Sequence, residues 1–106
     1  DKSQTNALHF GQTIKGTLEN RGNEDYFHFT LYNDEHIRLT GIPPEDGDIR
    51  FKISSNLITH SARPKIGEKS VLEGVYPPGR YTIEVWTDKT SVGLYSLKLE
   101  RLNRFD

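Results

Sequence analysis

The run Tyr76-Pro77-Pro78-Gly79-Arg80-Tyr81-Thr82-Ile83-Glu84-Val85-Trp86 constrains the fold more than any other stretch of this chain. Pro77 and Pro78 fix their own φ angles and remove two backbone donors, and Gly79 permits the positive φ of a tight turn. β-Branched and aromatic residues follow at once, so the turn feeds a strand and sets its register. Side chains of a strand alternate between faces. Tyr81, Ile83 and Val85 therefore point to a core, and Thr82, Glu84 and Trp86 point away from it.

The same period of two recurs along the chain. Ile14, Gly16 and Leu18 alternate with Lys15 and Thr17 after a turn signal at Gly11-Gln12. Phe27, Phe29 and Leu31 form the apolar side of the next strand, and a short turn at Asn33-Asp34-Glu35 leads to Ile37 and Leu39, which suggests a hairpin. Pro43-Pro44 excludes 41–47 from a central strand, and Ile49, Phe51 and Ile53 resume the alternation. Residues 54–69 read mainly as loop, with brief pairing around Leu57-Ile58-Thr59. Leu72, Gly74 and Tyr76 share a side before the Pro-Pro turn, and Tyr95, Leu97 and Leu99 close the chain. No amphipathic helix stands out.

Seven or eight short strands at near-regular spacing imply an all-β fold, an antiparallel, jelly-roll-like β-sandwich of two sheets, with a small barrel as second choice. Residues 1–7 are polar and aperiodic and read as a linker or disordered lead-in, leaving 8–106 as one sandwich domain. At 106 residues there is room for a single core, and 33% hydrophobic content suits a thin sandwich with wet outer faces.

Fourteen basic and fifteen acidic residues leave no concentrated positive charge, which argues against nucleic acid and anionic membranes as partners. With no cysteine there is no disulfide, thiol nucleophile or Cys-bound zinc. The absence of cysteine and methionine fits an exported bacterial protein, and the chain reads as excised from a longer one.

Four stretches resemble the bacterial pre-peptidase C-terminal domain family, β-sandwich modules of secreted peptidases that are related to the collagen-binding domains of clostridial collagenases. Gly22-Asn23-Glu24-Asp25-Tyr26-Phe27-His28-Phe29 is similar to the family's Asp-x-Asp-x-Tyr/Phe strand start, with Asn23 where the first Asp is usual. Gly47-Asp48-Ile49-Arg50-Phe51-Lys52-Ile53 resembles its Gly-Asp-x-Asp-Leu strand, with Arg50 in place of the second acid. Gly79-Arg80-Tyr81 resembles its Gly-x-Tyr strand, and Tyr95-Ser96-Leu97 its closing Tyr-x-Leu strand. The resemblance implies a non-catalytic accessory domain, extracellular, periplasmic or on the cell surface. It would assist substrate or surface binding, or the maturation or secretion of its parent; a carbohydrate-binding module and a purely structural spacer are the alternatives.

Two acidic loops carry the metal reading: Asn23, Glu24 and Asp25, and Glu45, Asp46 and Asp48. If the loops meet, their oxygens suit calcium, which takes six to eight oxygen ligands. The competing reading, that these side chains cap turns, ranks above it. No other cofactor is implied. Trp86, with Tyr26 and His28, is the candidate ligand-binding group, since outward aromatic faces stack on fibrous protein or polysaccharide; covering a sheet end is the plainer alternative. The rest of the parent polypeptide is the other expected partner, and a monomer is the expected state. His9, His28, His36 and His60 lack metal-ligand spacing, and no serine sits in a nucleophile elbow, so an enzyme is the least favoured class.

Overall fold

A computed structural model describes residues 5–18, 24–44, 47–62, 67–86 and 93–102. Their secondary structure is entirely β: β1 (Asn6–Ala7), β2 (Thr13–Leu18), β3 (Asp25–Leu31), β4 (Glu35–Ile42), β5 (Arg50–Ser54), β6 (Thr59–Ala62), β7 (Ser70–Tyr76), β8 (Gly79–Trp86) and β9 (Gly93–Arg101). They form two sheets, a front sheet of five strands in the order β1-β3-β8-β5-β6 and a back sheet of four in the order β2-β9-β4-β7. Every pairing is antiparallel except β1 with β3. The all-β sandwich expected from the alternation is what forms.

Burial follows the period of two. Phe27, Phe29 and Leu31, Ile49, Phe51 and Ile53, and Tyr81, Ile83 and Val85 point inward from or beside the front sheet. Ile37, Leu39, Tyr95, Leu97 and Leu99 face them from the back sheet. Burying these side chains is the main favourable term in holding two sheets face to face. Within this core Tyr81 stacks on its cross-strand neighbour Phe29, with ring centroids 5.1 Å apart, and meets Tyr76 edge-on at 5.6 Å. Its hydroxyl donates to the Pro77 carbonyl at 2.6 Å, so the Pro-Pro turn is fastened to the strand it feeds.

The connections differ from expectation. β3 and β4 do not form a hairpin: the turn at 32–34 carries the chain from the front sheet to the back, and β3 pairs with β8 while β4 pairs with β7 and β9. The Pro-Pro turn crosses between sheets in the same way, and β5–β6 is the one sequential hairpin among the described strands. A short polar turn specifies that the chain reverses, not whether the next strand joins the same sheet or the facing one. β6 itself lies at Thr59–Ala62, later than the pairing expected around 57–59, because Ser55 closes a turn before it: its Oγ accepts from the N–H groups of Leu57 and Ile58.

The structured region also begins earlier than the expected boundary at Leu8. Asn6 and Ala7 run parallel to Phe27 and His28, and Thr5 Oγ1 lies 2.5 Å from Nδ1 of His28. Leu8 then buries its side chain and donates its N–H to His28, Phe10 bridges to Leu99, and Arg101 lies over the Phe10 ring at 3.9 Å. The lead-in thus passes from the front sheet to the back sheet, with the N–H groups of Leu8 and Gly11 donating to His28 and Leu99. Residues 1–4 of the expected lead-in lie outside the described residues.

Candidate functional site

The outer face of the front sheet carries the candidate ligand-binding residues. In the β3–β8 register Tyr26 is opposite Glu84, and His28 is opposite Thr82; in the β5–β8 register Trp86 is opposite Arg50. Alternation around the buried Val85 places Trp86 outward, on the same face as Tyr26 and on the neighbouring strand, a diagonal separation of roughly 7–8 Å between backbones. Both side chains are half-buried, less open than a fully exposed patch would be. The Tyr26 phenol is pushed up to about 12, first by desolvation, then by its 2.9 Å hydrogen bond to Glu24 and the nearby Glu84. It is a neutral donor at any physiological pH.

His28, on the same face, also has a partner within the chain. Its ring is engaged with Thr5, and desolvation, followed by the charges of Arg80 and His9, lowers its pKa. The contact of Nδ1 with Thr5 fastens the lead-in to β3.

The acidic residues are engaged as well. Asp25 Oδ2 accepts a 2.5 Å hydrogen bond from the hydroxyl of Tyr95, which is 1% exposed, and this bond ties the first residue of β3 in the front sheet to β9 in the back sheet. Desolvation, then this bond and the Asp25 charge, drives the Tyr95 pKa upward. Gly16 lies opposite Tyr95 and leaves the space its ring end occupies. Asp48 is also 1% exposed and meets the Arg50 guanidinium at 3.0 Å, which supplies the countercharge a buried carboxylate requires. Glu24 accepts from Tyr26 as above. Asn23, Glu45 and Asp46 lie outside the described residues. Among the described residues no three His, Asp or Glu side chains gather into a metal-binding group. β3 and β5 both begin beside the Val85–Trp86 end of β8, but β8 runs between them, which sets those two strands about 10 Å apart.

Local reading of the sequence missed a cleft at the opposite end of β8. It has a volume of about 630 Å3 and lies between the 55–58 turn and the Pro78-Gly79 turn, with Ser54, Ser55, Asn56, Leu57, Arg80 and Thr82 among its walls. The alternation that puts Tyr81 inward puts Arg80 outward, so parity alone would have marked Arg80; the turn opposite it becomes visible only through the β5–β8 pairing.

No protein-family model matches the sequence, and no curated protein is similar to it. The fold does have solved counterparts. The pre-peptidase C-terminal domain of a collagenase from Bacillus anthracis superposes with a TM-score of 0.80 at 16% identity, over 92% of this chain and 95% of that one. This chain has the pre-peptidase C-terminal domain fold. A periplasmic inhibitor of g-type lysozyme from Aeromonas hydrophila, PliG, matches less closely, with a TM-score of 0.56 at 16% identity over 92% of this chain and 96% of that one. Within the pre-peptidase C-terminal fold, two motif residues far apart in sequence, Asp25 and Tyr95, prove to be bonded to each other. The departure at Arg50 is explained too: a second acid there would face the buried Asp48, whereas Arg50 neutralises it.

Proposed function

We propose that this domain is a non-catalytic accessory module of an exported bacterial protein, a secreted peptidase, and that it holds its parent against a fibrous protein through the Trp86 end of the front sheet. The observation that carries the reading is the placement of Trp86 and Tyr26 on adjacent strands of one outward face, rigidly backed by the core. The collagenase domain with the same fold supports the peptidase parent, and the periplasmic lysozyme inhibitor supports a site outside the cytoplasm. Half-buried aromatic rings suit such a role because they offer apolar area with little side-chain entropy to lose on binding.

The test uses the domain fused to an inert fluorescent protein and measures retention on insoluble collagen fibres, cellulose and chitin. Retention on the collagen fibres is expected, and Trp86→Ala is expected to reduce it by about tenfold or more, as truncation of a buried aromatic anchor does. An unchanged melting temperature of the variant would show that the loss is local. Retention on the polysaccharides alone would make the domain a carbohydrate-binding module, and retention on none would leave a spacer; either result overturns the proposal.

A further inference from the structure

Arg80 stands out among the described arginines. Arg38 pairs with Glu100 at 3.3 Å, Arg50 with Asp48 at 3.0 Å and Arg101 with Glu35 at 2.8 Å, while Arg80 has no ion pair among the described residues. Its side chain is exposed at the wall of the 630 Å3 cleft, opposite Thr30 on one side and diagonal to Ser54 on the other. The field of its charge reaches His28, where it is the second cause, after desolvation, of the lowered pKa. An arginine held on a rigid strand with no carboxylate beside it keeps its fork of donors available for an incoming oxyanion.

The remaining walls complement that charge. Ser55 Oγ already accepts from the N–H groups of Leu57 and Ile58, at 3.2 and 3.3 Å, so its lone pairs are used and its own O–H is left to donate. Ser54 and Thr82, cross-strand partners in the β5–β8 register, add two more hydroxyls, and Asn56 adds an amide. None of the walls carries an acidic side chain. Leu57, which is 83% exposed, and Pro78 give the same cleft an apolar lip. Donors lining the same cleft as a cation without an ion pair among the described residues, with apolar surface next to them, match a carboxylate attached to a short apolar body.

We propose that the cleft between the 55–58 turn and Arg80 binds a carboxylate of a peptide, with the adjoining apolar side chain resting on Leu57 and Pro78. The carboxylate can come from a chain terminus or from an Asp or Glu side chain, since both present the same two oxygens. This site is separate from the Trp86 end of the sheet, with Arg80 and Trp86 six residues apart on β8, about 20 Å along an extended strand.

Titration of the isotopically labelled domain, followed by amide NMR, distinguishes the sources. The probes are N-acetyl-glycyl-leucine with a free carboxylate, the same compound as its amide, N-acetyl-leucyl-glutamate amide and sodium glucuronate. At least one of the two peptide acids is expected to shift the amide signals of Ser54, Ser55, Asn56 and Arg80 saturably, and the uncharged amide to shift none. Arg80→Gln is expected to weaken that binding about tenfold or more, the usual effect of removing a charge-assisted bond, with the melting temperature unchanged. Equal shifts from the acid and its amide, no saturable shift from either acid, glucuronate binding as tightly as the better peptide acid, or binding indifferent to Arg80→Gln would each overturn the proposal. Because Trp86→Ala leaves this cleft intact, failure here and failure of fibre binding are separable.

Discussion

Replacing Tyr81 with alanine is expected to lower the unfolding free energy by about 4 kcal/mol, in the range found when a large buried aromatic is truncated. Tyr81 is 1% exposed, stacks on Phe29 and abuts Tyr76, so its removal opens a cavity bounded by rings that stiff β-strands cannot bring together. In a domain of this size the melting temperature should fall by roughly 15–30 °C. Tyr81→Phe separates the ring from the hydroxyl. It keeps both aromatic contacts, loses only the bond to the Pro77 carbonyl, and should cost about 1 kcal/mol. If the alanine variant melted within a few degrees of the phenylalanine one, the ring cluster would not be the centre of the core.

The second large effect is expected at Gly16. A Cβ added there would lie 2.5 Å from Cζ and 2.8 Å from Cε2 of Tyr95, well inside contact distance. The tyrosine has no free direction in which to move, because its ring is buried and its hydroxyl is held by Asp25. Gly16→Ala therefore either pushes β2 away from β9 or breaks the bond between the sheets, at a cost of about 2–4 kcal/mol. Gly11 provides the contrast. No atom lies within 4 Å of its added Cβ, and its φ of +82° makes the cost one of backbone conformation alone. Gly11→Ala should cost about 1 kcal/mol. Chemical denaturation of the two variants checks the order; Gly11→Ala proving the more damaging would contradict the crowding at Tyr95.

These effects show which parts of the molecule were legible in the sequence. Inward faces were legible because a strand's alternation is local: each run, from Phe27-Phe29-Leu31 to Tyr95-Leu97-Leu99, buries the residues its own parity selects. Strand partners were not. Asn33-Asp34 looks the same whether the chain folds back into one sheet or crosses to the other, and the expected β3–β4 hairpin is in fact a crossing. The order of the lead-in is not legible locally because its fixings are non-local. Leu8 is the one strongly apolar residue among Asp1 to His9, and the partners that order its neighbours, His28 and Leu99, lie far along the chain.

The candidate site divides along the same line. Parity puts Trp86 and Tyr26 on one face, and the pairing puts them on the adjacent strands β8 and β3. Parity also puts His28 there, but does not indicate that its Nδ1 meets Thr5. The neighbours of Asp25 in sequence suggest a turn cap or a calcium ligand and give no sign of its partner Tyr95, 70 residues away. The Arg80 cleft needs a register as well as a parity, because its other wall belongs to a different strand connection.

Asp25, at the start of β3, joins the two sheets through Tyr95, and this role is expected to hold without a bound metal. The measurement that tests it most directly is thermal unfolding of the wild type and of Asp25→Ala, each in EDTA and in millimolar calcium. A ligand bound only by the native state must raise the midpoint. The expected result is that calcium leaves the wild type unmoved, and that Asp25→Ala loses about 1–3 kcal/mol equally in both buffers, the cost of stranding the buried Tyr95 hydroxyl. A rise of several degrees in calcium for the wild type, abolished by Asp25→Ala, would contradict it and would make the acidic end of the front sheet a metal site.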